Sequence, residues 1–186
     1  MNTKKVSIIT VFAALTVLIN LSPIKIPAPY APFLIYQLWE IPITTATLLF
    51  GFSIGVGISI INTMVLLVIF PGALPTGPFY NLVAILSMLV GVYGIEKLSS
   101  GLHFNSKTIS VAFFSTSLGS LTRVVTMTIV NWAFLPYPPP VGFSIPAEAL
   151  PAILPAIAFF NATLALYTIP LGYIFAKAIK NRLSPS

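Results

Sequence analysis

Apolar stretches long enough to cross a lipid bilayer follow one another along almost the entire chain. Of its 186 residues, 57% are hydrophobic and only 6% are charged, a composition outside the range of water-soluble domains. A bilayer core of about 30 Å takes roughly 20 apolar helical residues, so the chain has room for about six crossings with short connections. The sequence therefore predicts one membrane domain over residues 1–186 and no separate soluble domain.

The apolar runs and the turn residues between them predict an all-α membrane protein, a compact bundle of six transmembrane helices. The predicted helices are Val6–Leu21, Ile41–Phe52, Val56–Phe70, Phe79–Leu98, Thr108–Leu135 and Ala147–Ala178. The second helix is short for a crossing, and "GFSIG" turns it directly into the third. Pro151, Pro155 and Pro170 fall inside the sixth helix, which predicts kinks there.

Basic residues are concentrated in three places that such a bundle puts on one side. They are Lys4, Lys5, Lys97, Lys107, Lys177, Lys180 and Arg182, at the N-terminus, the fourth connection and the C-terminus. By the positive-inside bias this side is cytoplasmic, so both termini are predicted to lie inside the cell and the protein in the plasma membrane. The net charge of +6 forms no basic stripe, so it indicates topology and not a nucleic-acid site.

Most of the 17 prolines lie at or beside the three opposite, extracellular connections. The longest of these is the first loop, "SPIKIPAPYAPFLIYQL". Stiff, aromatic-rich loops suit a lid or a binding mouth, although a single proline can equally well do no more than end a helix. For the first loop we favour a role in binding.

Arg123, in "SLTRVVTMTIVNW", puts a full positive charge near the middle of the fifth helix. A central charge costs about 2.5 to 3.5 kcal/mol on insertion, so Arg123 should face the bundle interior. The acids of the chain are Glu40, Glu96 and Glu148; we expect the second near the inner surface and the others near the outer surface, none at the depth of Arg123. Two alternatives stay open, a structural tie to other helices through Asn62, Asn81 or backbone carbonyls, or contact with a polar ligand.

Amides and aromatic residues from several helices are predicted to meet near the outer mouth. Asn131 lies eight residues after Arg123, within roughly 80° of the same helical face. The candidate binding residues are Tyr36, Trp39, Glu40, Tyr80, Asn81, Met127, Asn131 and Asn161. Amides match the donors and acceptors of a planar heterocycle while aromatic and methionine side chains cover its faces. The predicted ligand is small, largely uncharged and partly aromatic, although an interhelical hydrogen bond would explain any one asparagine equally well.

Several motifs resemble the S components of energy-coupling factor (ECF) transporters, the substrate-binding subunits for vitamins. The long first loop ends in "YQLWEIP", and "LLFGFSIGVG" follows. Within that family, "RVVTMTIVNW" before "LPYP", and "FFNATLAL" in the sixth helix, are similar to segments of the riboflavin-specific type. The resemblance implies that Asn131 and Asn161 hydrogen-bond a flavin, with Met127 and Trp132 beside them and Glu40 in place of the acid that ends the first loop in the family.

The resemblance also implies partners, a transmembrane coupling (T) component and two ABC-type ATPase subunits, with the vitamin as transported ligand and no cofactor. Leu164 stands where the riboflavin type usually has a lysine, so another vitamin stays open as the ligand. Small residues that permit close approach of a partner are Thr10, Ala14, Gly51, Gly55 and Ser59, although such spacing often serves packing within a bundle.

Other classes of function find less support in the sequence. The chain has no cysteine, and neither a catalytic dyad nor a metal-ligand cluster is recognisable, so we do not expect an enzyme. It has no GxxxxGK[ST] loop, so ATP-driven work would come from a partner. A stand-alone secondary transporter usually shows an internal repeat and a midplane ion relay, which we do not find.

Overall fold

The computed structural model describes residues 3–69, 74–101 and 108–183. In these ranges the chain forms helices α1 (Thr3–Leu21), α2 (Glu40–Phe50), α3 (Phe52–Ile69), α4 (Gly77–Gly101), α5 (Thr108–Phe134) and α6 (Leu150–Leu183). Five of them are long and apolar enough to cross a membrane, and α2 is a shorter apolar helix. The prediction of six helices is confirmed; the side on which the termini lie stays a prediction. Phe70 and Lys107 lie outside the described residues.

The first loop contains regular structure that the sequence reasoning did not predict. Strands β1 (Ile26–Ala28) and β2 (Ala31–Tyr36) form an antiparallel hairpin in which Ile26 pairs with Tyr36. Strand β2 alternates half-buried and exposed positions in its second half, as expected where one face covers a helical bundle. The long, proline-rich first loop thus contains a hairpin that packs against the bundle.

Helix α2 occupies the centre of the bundle, and each of its residues from Glu40 to Thr47 is buried. The hydroxyls of Thr44, Thr45 and Thr47 donate hydrogen bonds to backbone oxygens one turn earlier, at 2.8 to 3.0 Å. A helix rich in threonine can therefore be enclosed by apolar neighbours, because its polar atoms are satisfied within the helix.

The turn between α2 and α3 depends on Gly51, whose φ is 97°. This left-handed conformation is readily adopted by glycine because it has no Cβ. One turn later, α3 packs so closely on α2 that a Cβ at Gly55 would lie 1.9 Å from the hydroxyl oxygen of Thr47. The two helices thus form a tight antiparallel pair, as the "GFSIG" motif predicts.

Glycines also bring α4 and α5 into close contact. A Cβ on Gly91 would lie 2.7 Å from the Cα of Gly119 and 2.7 Å from the carbonyl oxygen of Leu118. Because the backbones of the two helices touch here, the rotation of each helix about its axis relative to the other is fixed. Since Arg123 is one turn beyond Gly119, this contact fixes its side chain beside Met88 of α4.

Candidate binding site

A cavity of about 450 Å³ lies between the β-hairpin, the N-terminus of α2 and helices α4, α5 and α6. Its volume is within the range of small-molecule sites. Of the candidates from the sequence, the cavity brings together Trp39, Glu40, Tyr80, Asn81, Arg123, Met127, Asn131 and Asn161. The helices and the first loop thus meet at one concave pocket.

The cavity exists because α2 is too short to cross a bilayer alone. Its 11 residues span about 17 Å at 1.5 Å per residue, roughly half of the hydrocarbon thickness. The hairpin covers the space beyond its N-terminus, and Phe33, Leu34 and Ile35 of β2 line the cavity there. A short central helix with a hairpin above it therefore leaves room for a ligand.

A buried ion pair between Arg123 and Glu40 forms part of the cavity wall. The Arg123 Nη1 donates to Glu40 Oε2 at 2.5 Å, and Nη2 donates to Oε1 at 2.8 Å. Both residues are 2% exposed. This is the bidentate geometry in which a guanidinium and a carboxylate bind most strongly.

The ion pair corrects the expectation that no acid lies at the depth of Arg123. Glu40 was expected near the outer surface because it ends the first loop in the sequence. In the structure it is the first residue of the short helix α2, which begins inside the bundle. The partial positive charge of a helix N-terminus also stabilises a carboxylate at this position.

Asn161 connects the ion pair to α6. The Arg123 Nε donates to Asn161 Oδ1 at 2.9 Å, while Asn161 Nδ2 donates to the backbone oxygen of Ile157 at 2.9 Å. The Arg123 Nη1 also lies 3.6 Å from the Met88 sulfur. Arg123 therefore connects α5 to α2, α4 and α6, through Glu40, Met88 and Asn161 and not through the expected Asn62, Asn81 or backbone carbonyls.

Asn131 and Tyr80 also form contacts within the protein at the cavity wall. Asn131 Nδ2 donates to the backbone oxygen of Met127 at 2.7 Å. The Tyr80 hydroxyl donates to the backbone oxygen of Val141 at 2.8 Å, which holds the loop after α5 beside the mouth. Phe143 of that loop lines the cavity.

Two candidates from the sequence lie elsewhere. Trp132 is not among the cavity-lining residues and is 61% exposed on α5. The Tyr36 hydroxyl lies 2.6 Å from that of Tyr30 and 2.7 Å from that of Thr163, so it attaches the hairpin to α6. Burial and the hydrogen bond with Tyr36 raise the pKa of Tyr30 to about 12, so this phenol stays neutral at physiological pH.

The cavity also contains polar residues that the sequence analysis did not single out. Asn20, near the end of α1, and Gln37, between β2 and α2, both line it. Asn20 interrupts the apolar run "LTVLINL", and Gln37 lies in the segment "YQLWE". The signal that could have identified both is an amide at the border between an apolar helix and the first loop. Leu164 lines the cavity as well, and it packs beneath the hairpin with Ala28 and Phe160.

The residues predicted to dock a partner fall into two groups. Thr10 and Ala14 are exposed on α1, and Gly51 is half-buried. Gly55 and Ser59 are buried, and the Ser59 hydroxyl donates to the backbone oxygen of Gly55 at 2.8 Å. Gly55 and Ser59 thus take part in the close packing of α3 inside the bundle, and docking of a partner at these residues stays a prediction.

The fold of this chain is also found in a solved protein structure. The chain is similar to a solved structure of the S component of a bacterial ECF transporter, with a TM-score of 0.75 and 21% sequence identity over 99% of each chain. At this identity the similarity shows the fold. Neither a protein-family model nor a curated protein sequence matches the chain. The resemblance found in the sequence is thus confirmed at the level of the S-component fold.

Proposed function

We propose that this protein is the substrate-capture subunit of an ATP-driven ECF vitamin importer, and that it binds riboflavin or a related flavin at the extracellular side. The observation that carries the proposal is the cavity beneath the β-hairpin, in an S-component fold, with a lining of amides, aromatic rings and a compensated ion pair. The first loop is then the cover of the binding site.

The charges of the cavity favour an uncharged ligand. Among the described residues that line it, Glu40 and Arg123 carry charge, and they neutralise each other. A ligand with a net charge would be desolvated without a counter-ion, which is unfavourable in a site of low dielectric. Riboflavin is neutral, whereas its phosphate ester brings about two negative charges.

The shape and chemistry of the lining suit a planar ring system. Trp39 and Phe160 provide aromatic surface and Met127 a flexible thioether, which are suited to the faces of a heterocycle. Asn81 and Asn131 provide amides for its polar edge. Leu164 adds an apolar wall where the riboflavin-specific type usually has a lysine, so an S component for another vitamin is the alternative.

Energy for uptake would come from partner subunits. The sequence contains no GxxxxGK[ST] loop, and we propose a transmembrane T component with two ABC-type ATPase subunits as the partners. The exposed face of α1, which includes Thr10 and Ala14, is where we expect the T component to contact the bundle. A stand-alone secondary transporter is the alternative in which uptake needs no such partner.

Titration of the purified protein tests the proposed ligand directly. We expect riboflavin fluorescence to be quenched with saturation, and protein prepared from riboflavin-rich culture to show a flavin absorption spectrum. Flavin mononucleotide should bind at least tenfold more weakly because its phosphate has no counter-ion in the cavity. Parent protein that binds another vitamin and no flavin would support the alternative ligand, and riboflavin uptake by vesicles holding this protein alone would contradict the need for partners.

A further inference from the structure

Two amide groups in the cavity wall have a buried atom that no described residue satisfies. They are the side-chain nitrogen of Asn20, Nδ2, and the side-chain oxygen of Gln37, Oε1. Asn20 is only 6% exposed as a whole. The Asn20 nitrogen is a donor and the Gln37 oxygen an acceptor, and the two residues flank the β-hairpin, Asn20 near the end of α1 and Gln37 directly after β2.

These atoms differ from the other polar groups of the cavity. The Arg123 guanidinium donates to the Glu40 carboxylate and to the Asn161 oxygen, while the side-chain nitrogens of Asn161 and Asn131 donate to the backbone of their own helices. A buried donor or acceptor without a partner lowers stability, and nearly all such groups in folded proteins are paired. Asn20 and Gln37 both line a cavity large enough for a ligand, and because the two unpaired atoms are themselves inaccessible, each amide would have to turn toward the cavity for that atom to reach a bound ligand.

We infer that Asn20 and Gln37 bind the transported molecule directly, Asn20 by donating a hydrogen bond from Nδ2 and Gln37 by accepting one at Oε1. This inference rests on the proposed capture of a flavin. It adds two specificity-determining residues to the site. It also defines what the ligand must present: an acceptor such as a carbonyl or hydroxyl oxygen toward the end of α1, and an N–H or O–H donor toward the end of the hairpin. A flavin carries both kinds of group.

The chain offers a matched control in Asn62 of α3. Asn62 is 1% exposed, and its side-chain oxygen is likewise buried without a described partner. It does not belong to the cavity lining. If the unpaired amides matter only for packing, replacing Asn20 and replacing Asn62 should have similar consequences; if Asn20 binds ligand, only its replacement should change affinity.

The experiment compares the parent protein with Asn20→Leu, Gln37→Met and Asn62→Leu. Riboflavin is titrated by fluorescence quenching, and melting temperatures are measured with and without it. We expect Asn20→Leu and Gln37→Met each to raise the Kd for riboflavin tenfold or more and to reduce the ligand-induced rise in melting temperature. Their ligand-free melting temperature should stay equal or rise, because an apolar group replaces an unpaired polar one. Asn62→Leu should bind riboflavin within twofold of the parent.

The outcomes separate this inference from the proposed function. If the parent binds riboflavin and both Asn20→Leu and Gln37→Met bind it equally well, the inference is overturned while capture of a flavin stands. If the parent itself binds no riboflavin, the proposed ligand and the inference both fail. An equal loss of affinity in Asn62→Leu would assign the effect to packing. Should Asn20→Leu not be recovered as folded protein, Gln37→Met, at the edge of the bundle, decides the question.

Discussion

Breaking the ion pair between Arg123 and Glu40 should strongly destabilise the ligand-free protein. In Arg123→Met, both carboxylate oxygens of Glu40 lose their partners at 2.5 and 2.8 Å, and Asn161 Oδ1 loses its donor at 2.9 Å. Removal of one member of a buried pair costs about 3 to 5 kcal/mol, because the remaining charge stays buried and uncompensated. At about 2 to 4 °C per kcal/mol for a domain of this size, the melting temperature should fall by roughly 6 to 20 °C.

The double variant Arg123→Met, Glu40→Met is the control for this prediction. Replacing both members of a buried pair by apolar side chains is often neutral or stabilising, because no charge then needs compensation. We therefore expect the double variant to melt well above Arg123→Met, and a double-mutant cycle to give a large coupling between the two residues. Thermal unfolding in detergent, followed by circular dichroism, measures all of the variants.

One result would refute this reasoning. If Arg123→Met melts like the parent without ligand but loses the ligand-induced rise in melting temperature, Arg123 contributes little to the tie between helices and acts as a binding residue. A double variant as unstable as Arg123→Met would show that the loss comes from disturbed packing and not from the unpaired carboxylate.

Three further predictions follow from the site and the packing. Asn131→Ala should weaken riboflavin binding by roughly tenfold, which corresponds to a loss of about 1.4 kcal/mol in binding free energy. If riboflavin fluorescence is quenched as in the parent, Asn131 is a packing residue. Gly91→Ala should lower the melting temperature because its Cβ would meet the α5 backbone at 2.7 Å, whereas Gly94→Ala, with nothing within 4 Å, should not. In this cysteine-free chain, a cysteine at Pro29 should be labelled from outside the cell and one at Lys4 from inside; labelling of both from one side would contradict the predicted orientation.

The number of helices and the membrane location could be predicted from the sequence because both depend on local properties. A run of about 20 apolar residues must bury its backbone polar groups within itself when it enters lipid, so it forms a helix whatever its neighbours are. The short second helix, between "YQLWE" and Gly51, could also be predicted from the sequence because turn residues flank it on both sides. The prediction that Arg123 faces the interior followed in the same way from the cost of a charge in lipid, and the structure places it there.

The partner of Arg123 and the hairpin depended on contacts between segments far apart in the chain. Glu40 and Arg123 meet across 83 positions because α2 begins inside the bundle, and its depth is set by the helices that surround it. Hydrogen bonds of Tyr36 in the hairpin and of Tyr167 in α6 attach the hairpin to α6. The strands therefore need a surface on α6 that the loop sequence does not contain. Whether a polar residue lines a cavity, as Asn20 does, or packs inside, as Asn62 does, depends on helix rotation. The rotation of α3 and α1 is fixed by close contacts such as those of Gly55 with Thr47 and of Gly57 with Ile9, so only the tertiary structure decided it.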